Sequence, residues 1–480
     1  MSLDSVDTYH WLQTGRRTNP FLVFLWCVLG VMAIQAANSP ADWGLAWVGL
    51  GAATLAACHL LRIRMVLVLT APVFLAILSY SITTIYLSRE AGAFDLSRDR
   101  GLNGAMWMAW MGMAAYQLGL FMGLRMPSRI LQGSPVRVNM RDAVVMTLFG
   151  FFCNEVLLRV TPFSLRNVVY MFGCCAPAGL FLILHAFGGA KQAGGMGWRF
   201  ALWLAGVGIW FIGSVKSGIF GSTLLIMVFL VAPYIERSRW LLAAVIMVCF
   251  SMAPLCQDIK QDYRKRLAEE EPASRQTVAE VVMENFRKFF VEGDMNTYRK
   301  GITALADRLC TFDIWYRVKQ HLDTQRDYAG GRTVKDALLA SFIPRFLWPD
   351  KPVTGGASDL AIRYADMRIQ EGTSVGVGAI SEFAINGGGM AVGFGMLMFG
   401  LFGGMLLISG WLDRVQPLGV IMAVLAFANM VRPETNLSDA LGGAIRVVFV
   451  WGVARWWVLR RHHKTIFRRR APGREEAGET

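Results

Sequence analysis

Runs of apolar residues recur along the chain near 21–37, 44–61, 65–86, 104–124, 143–158, 167–187, 200–215, 218–235 and 240–256. After a long polar interval, three more follow near 387–411, 416–431 and 439–458. A helix needs about 20 apolar residues to cross a hydrocarbon core, so the shorter runs predict tilted or broken helices. The pattern predicts an all-α polytopic membrane protein with about twelve transmembrane helices. Its parts are an N-terminal membrane block over 1–256, a large loop over 257–386, a C-terminal block over 387–459 and a basic tail over 460–480.

Composition agrees: 54% of the 480 residues are hydrophobic, with 30 Phe, 25 Met and 16 Trp. The net charge of +14 would draw attention to nucleic acid in a soluble protein. Here the basic residues flank apolar runs and fill the tail, so topology and anionic lipid account for them and no nucleic-acid partner is expected. If the chain alternates sides, one face collects Arg16, Arg17, Arg62, Arg64, Arg125, Arg129, Arg137, Arg141, Lys191, Arg199, Arg237, Arg239, Arg414 and the tail from Arg460 to Arg470. That face is expected to be cytoplasmic, with both termini on it and the 257–386 loop outside. The eight cysteines have no metal-ligand spacing, although Cys256 and Cys310 are both expected outside, where a disulfide is conceivable.

Within the loop, Ile302, Leu305, Leu309, Phe312, Tyr316 and Leu322 recur with helical period, predicting one amphipathic helix on the membrane face or over a cavity. It offers Arg308 as a cation and His321 as a proton carrier. Gly330 and Gly331 mark a turn before Arg332, and the apolar run from Ala337 is too short to span, so a re-entrant or surface segment is expected. The segment SFIPRFLWPDKP follows over 341–352, where Pro344, Pro349 and Pro352 exclude a continuous helix and stiffen the backbone. Arg345 and Lys351 on such a backbone suit phosphate, while Trp348 suits a sugar face or the membrane interface. The glycines from Gly372 to Gly378 permit close backbone approach, either to oxygen-rich ligands or to packed helices. Glu382 lies between apolar neighbours close to Asn386, where its surroundings can tune it to accept a proton. Arg432, Glu434 and Asp439 fall on the same side, completing a site or serving a helix end. Glu155 and Arg159, four apart, are placed to pair.

The proline segment, followed by TSVGVGAISEFAINGGG, resembles the Wzy-type O-antigen and exopolysaccharide polymerases, with the best match over roughly 300–412. Arg308 resembles an arginine that precedes this region in that family, while Gly387–Gly389 departs from its more aromatic pattern. The resemblance implies a GT-C-like glycosyltransferase of the bacterial inner membrane, acting at the periplasmic face on undecaprenyl-diphosphate-linked oligosaccharide repeat units. A chain-length regulator and a repeat-unit flippase would be its partners. In that chemistry Arg345, Lys351 and Arg308, backed by Arg332 and Arg432, stabilise the departing diphosphate. Glu382 takes the proton of the attacking hydroxyl, with His321 as the alternative, and Trp348 and Asn386 meet the substrate. No nucleotide-binding glycine motif or DxD-like metal site is evident, so no cofactor is expected. An O-antigen ligase, or a transporter or flippase of an anionic or lipid-linked substrate, would use a similar basic cavity.

Overall fold

In the computed structural model, the described residues are 43–60, 66–90, 100–126, 136–188, 291–293, 295–343, 357–369 and 375–469, with isolated positions between them. Among them the protein is almost entirely helical. The helices are α1 (Trp43–Leu60), α2 (Val66–Ala76), α3 (Thr83–Glu90), α4 (Arg100–Leu124), α5 (Met140–Phe152) and α6 (Leu158–Val160). They continue with α7 (Phe163–Phe172), α8 (Cys175–Gly188), α9 (Met295–Leu309), α10 (Phe312–Gln325), α11 (Arg332–Phe342) and α12 (Ala357–Ala365). The last three are α13 (Ala379–Trp411), α14 (Leu418–Met430) and α15 (Leu437–Arg469). Single π-helical turns at Ile77–Ile82 and Cys153–Leu157 join α2 to α3 and α5 to α6.

Among the described residues, five apolar stretches are long enough to cross a membrane: Trp43–Leu60, Val68–Leu87, Met140–Val160, Ala379–Trp411 and Leu437–His462. Val168–Ile183 and Leu418–Met430 are shorter apolar helices. The runs expected near 21–37 and 200–256 lie outside the described residues.

At the centre, α4 packs along α13. Lipid offers helices no hydrophobic incentive to associate, so close backbone approach and dispersion have to hold them. Glycine supplies that approach. A Cβ on Gly119 would overlap the Leu397 carbonyl, and one on Gly400 would overlap that of Tyr116. Gly123 and Gly404 face each other one turn further along, so a Cβ on Gly123 would lie 2.9 Å from the Gly404 Cα. On α7, Phe172 joins Phe149 of α5 (5.8 Å between ring centroids) to Phe449 of α15 (6.4 Å).

The two ends of the bundle are held by different contacts. At one end, Val136–Arg137 pairs in parallel with Val415–Gln416. Beneath this bridge the buried Asp413 carboxylate accepts hydrogen bonds from Trp451 Nε1 (2.6 Å), Arg455 Nε (2.8 Å) and the Val415 amide (3.2 Å). Arg461 donates to Asp142 at 2.7 Å. The opposite end is covered by α9–α12, tied down by Tyr86 to Thr303 (3.1 Å) and by Trp315 Nε1 donating to the Ala105 carbonyl (2.8 Å).

Three expectations change. The amphipathic helix over 302–322 is two helices, separated at Cys310–Thr311. The turn there drives Phe312, Trp315 and Val318 into full burial, so α10 docks on the bundle instead of lying on its surface. Cys310 is a free thiol facing Thr84 at 3.8 Å, not half of a disulfide, and burial pushes its pKa up. The span expected from 387 begins at Ala379 and is broken at Gly387–Gly388, where φ is −177° and +65°. The Glu155–Arg159 pair forms as expected at 3.1 Å, on an exposed face.

Two substitutions test this packing. Gly400→Leu is expected to abolish a folded, monodisperse protein in detergent size-exclusion chromatography, since the opposing group is backbone and cannot yield. Asp413→Ala strands the half-buried Arg455 guanidinium and the buried Trp451 indole N–H, so it is expected to cost about 3 kcal/mol, read as a lowered thermal midpoint.

Candidate functional site

The short arm of α13, before its break, organises the end opposite the Asp413 network. Gly378 begins it at φ +80°, and a Cβ there would run into the Pro433 carbonyl, so this position needs glycine on both counts. Four residues apart on one face, Glu382 and Asn386 point at two different helix starts. Glu382 is 2% exposed, and its Oε2 accepts the Leu437 amide at 2.8 Å, which caps α15 from outside. The preceding Asn436 returns the contact, its Oδ1 accepting the Val377 amide at 2.8 Å. A carboxylate at a helix N-terminus satisfies an orphan donor and meets the positive end of the dipole.

Asn386 does the same for α11. Its Oδ1 accepts the Thr333 amide at 3.3 Å, while its Nδ2 donates to Thr333 Oγ1 and to the Glu382 carbonyl, each at 2.6 Å. Gly331, at φ +86°, begins that helix without a side chain able to cap it. One turn of α13 therefore fixes the starts of α11 and α15. The helix break that follows leaves the Ile385 carbonyl without its usual partner, and Ala329 N donates to it at 2.8 Å. Tyr328, next to Ala329, rests over Gly388, where a Cβ would lie 3.6 Å from its hydroxyl.

Beside the start of α15, the Arg432 guanidinium is half-buried, with Nε enclosed and without a hydrogen-bond partner among the described residues. Burial pulls its pKa down, Glu434 and Tyr170 oppose that shift, and the positive charge of Arg308 adds to it. Arg308 is exposed at the end of α9, and Tyr170 is exposed on α7. Two cations thus sit within electrostatic reach of each other beside an open aromatic hydroxyl. Among the described residues no group of His, Cys, Asp and Glu could hold a metal ion.

The structure therefore brings Glu382, Asn386, Arg308 and Arg432 to one end of the bundle. Arg332 is exposed beside Thr333. His321 turns elsewhere: its ring packs edge-on to Tyr364 of α12 at 5.3 Å between centroids, with Nε2 enclosed and unpartnered. Trp348 is half-buried, while Arg345 and Lys351 lie outside the described residues. Asp439 sits in the first turn of α15 with its side chain exposed. Sequence reasoning missed Thr333, Tyr328, Tyr170 and Asn436. Only Asn436 carried a signal, as a cap-forming residue directly before an apolar run.

Fold and site define a helical, multi-span membrane protein whose buried carboxylate and amide lock helix ends beside a pair of arginines. By sequence the chain belongs to the family described as a domain of unknown function (DUF8712), which matches residues 74–409. No curated protein and no solved structure matches it.

Replacing Asn386 by Ala is expected to lower stability by about 1–2 kcal/mol, because the Thr333 amide and hydroxyl lose their partner. Asn386→Asp keeps the acceptor for the amide and is expected to recover part of the loss in the same thermal unfolding assay.

Proposed function

We propose that the chain is a membrane glycosyltransferase that joins oligosaccharide units carried on a polyprenyl diphosphate, on the side of the bundle capped by α9–α12. The observation that carries this reading is the buried, unpartnered Nε of Arg432, with the positive charge of Arg308 within electrostatic reach. A guanidinium in that position is under-satisfied, and an anion able to accept from it relieves the cost of burial. The resemblance of the proline segment and of the 372–389 stretch to Wzy-type polymerases supports the same substrate class. In the reaction, a hydroxyl oxygen of the acceptor unit bonds to the anomeric carbon of the donor. The bond from that carbon to the diphosphate breaks, and the electron pair leaves on the diphosphate, held by Arg432 and Arg308, with Arg345 and Lys351 as further candidates.

The hydroxyl proton passes to a base, for which Glu382 is the candidate. Its carboxylate is enclosed and bonded to the Leu437 amide, so it accepts a proton only when the acceptor hydroxyl is brought against it. Arg332, Trp348 and Asn386 border the acceptor in this reading, and His321, packed against Tyr364, is left out of it. The enzyme would work in a bacterial inner membrane with its site towards the periplasm.

The test uses protein in lipid nanodiscs, supplied with undecaprenyl-diphosphate oligosaccharide and no nucleotide sugar, with products read by mass spectrometry. Products that differ by whole repeat masses are expected. A single transfer to a lipid A core acceptor would identify a ligase instead, and translocation without a new bond a transporter. Arg432→Gln is expected to slow product formation by about 10²-fold or more with the fold retained. Glu382→Gln keeps an oxygen for the Leu437 amide while removing the base, so a loss of about 10²-fold without loss of stability is expected. An unchanged rate would exclude Glu382 as the base.

A further inference from the structure

We propose that the end of the bundle away from the candidate site holds a specific binding site for an anionic phospholipid, formed on α15 by Trp456 and Arg460. From Leu437, where α15 starts, Arg460 lies about 35 Å along the axis at about 1.5 Å per residue, just beyond a hydrocarbon core of about 30 Å. Trp456 lies one turn inside it. An indole there sits at the boundary between acyl chains and head groups, the level where tryptophan is enriched in membrane proteins. Trp456 is 57% exposed, and the Arg460 guanidinium carbon lies 5.2 Å from its ring centroid.

Charge accounting then isolates Arg460. Among the described residues at this end the carboxylates are Asp142 and Asp413, and both are buried and bonded to arginine. Asp413 takes Arg455 at 2.8 Å, and Asp142 takes Arg461 at 2.7 Å. Arg461 also stacks on Trp457, at 4.4 Å from its centroid. Arg460 has no carboxylate partner among the described residues, and Arg125 and Arg141 are exposed at the same end.

An arginine held over an indole loses little freedom when it binds a phosphate, and its planar donors suit two phosphate oxygens. The exposed face of Trp456 meets the glycerol and upper acyl region of the same molecule. This pairing of a cation with an apolar platform favours a lipid phosphate over a free phosphate ion, which has nothing to place against the ring. A further constraint makes the site rigid: Arg455 and Arg461, on either side, are pinned to neighbouring elements, so the turn between them cannot rotate away.

The site is tested by native mass spectrometry of detergent-purified full-length protein titrated with phosphatidylglycerol and, separately, phosphatidylcholine. Wild type is expected to retain phosphatidylglycerol selectively. Arg460→Glu should weaken its apparent affinity about tenfold, reflecting loss of one attraction and gain of a repulsion, and Trp456→Ala should weaken it several-fold. Arg125→Glu changes net charge equally without touching the platform and is expected to leave the affinity near wild type. If Arg460→Glu lowers the thermal midpoint, Arg460→Gln replaces it and should still reduce binding. Undiminished binding by the Arg460 variant would overturn the proposal. So would an equal loss in Arg125→Glu, which would mean a diffuse surface potential only, or displacement by equimolar inorganic phosphate, which would mean a free-anion site.

Discussion

A backbone amide or carbonyl inside an apolar slab must find a partner within the protein, and this requirement shapes the bundle around α13. An unbroken helix satisfies itself. A broken one does not, and at Gly387–Gly388 the missing turn is replaced by the Ala329 amide on the Ile385 carbonyl. The turn just before the break carries the two side chains that start α11 and α15. Polar groups that would be costly if left alone are thereby spent on one another, and three separate parts of the chain acquire a common origin.

That origin also explains why the arginine pair sits where it does. Arg432 belongs to the tight link between α14 and α15, and this link is held by Asn436 on Val377 and by Glu382 on Leu437. The Arg432 guanidinium stays half-buried, its Nε without a hydrogen-bond partner among the described residues, because these bonds fix the backbone that carries it. The far end follows the opposite scheme: Asp413 and Asp142 each neutralise an arginine, and stability takes precedence over vacancy. The buried carboxylates of that end are therefore paired, while Arg432 at the other keeps a buried Nε without a partner among the described residues.

Much of the scaffold was legible because apolar length is a strong signal. The runs at 44–61, 65–86, 143–158 and 439–458 correspond to observed helices. The start of α13 was not legible. Glu382 and Asn386 look like loop residues in one dimension, and it is their contacts with Leu437 and Thr333 that stabilise them inside a helix. The division of α9 from α10 was hidden for a related reason, since helical periodicity persists across Cys310 while the direction of the chain does not. Glu382 and Asn386 could be singled out from sequence as unusual, but their partners lie about fifty residues away in both directions, beyond any local pattern.

The close fit of α4 on α13 has a consequence for how the molecule is made. Gly119 emerges from the ribosome long before Leu397, and at about 5–20 residues per second the delay is on the order of tens of seconds. During that interval the glycine face of α4 has no backbone to lie against. The nascent N-terminal helices must be held in or beside the insertion machinery with a bare seam, and the final fold is sealed only when the last third of the chain arrives. Slowed translation after α4 would therefore lengthen exposure to membrane proteases without altering a single native contact.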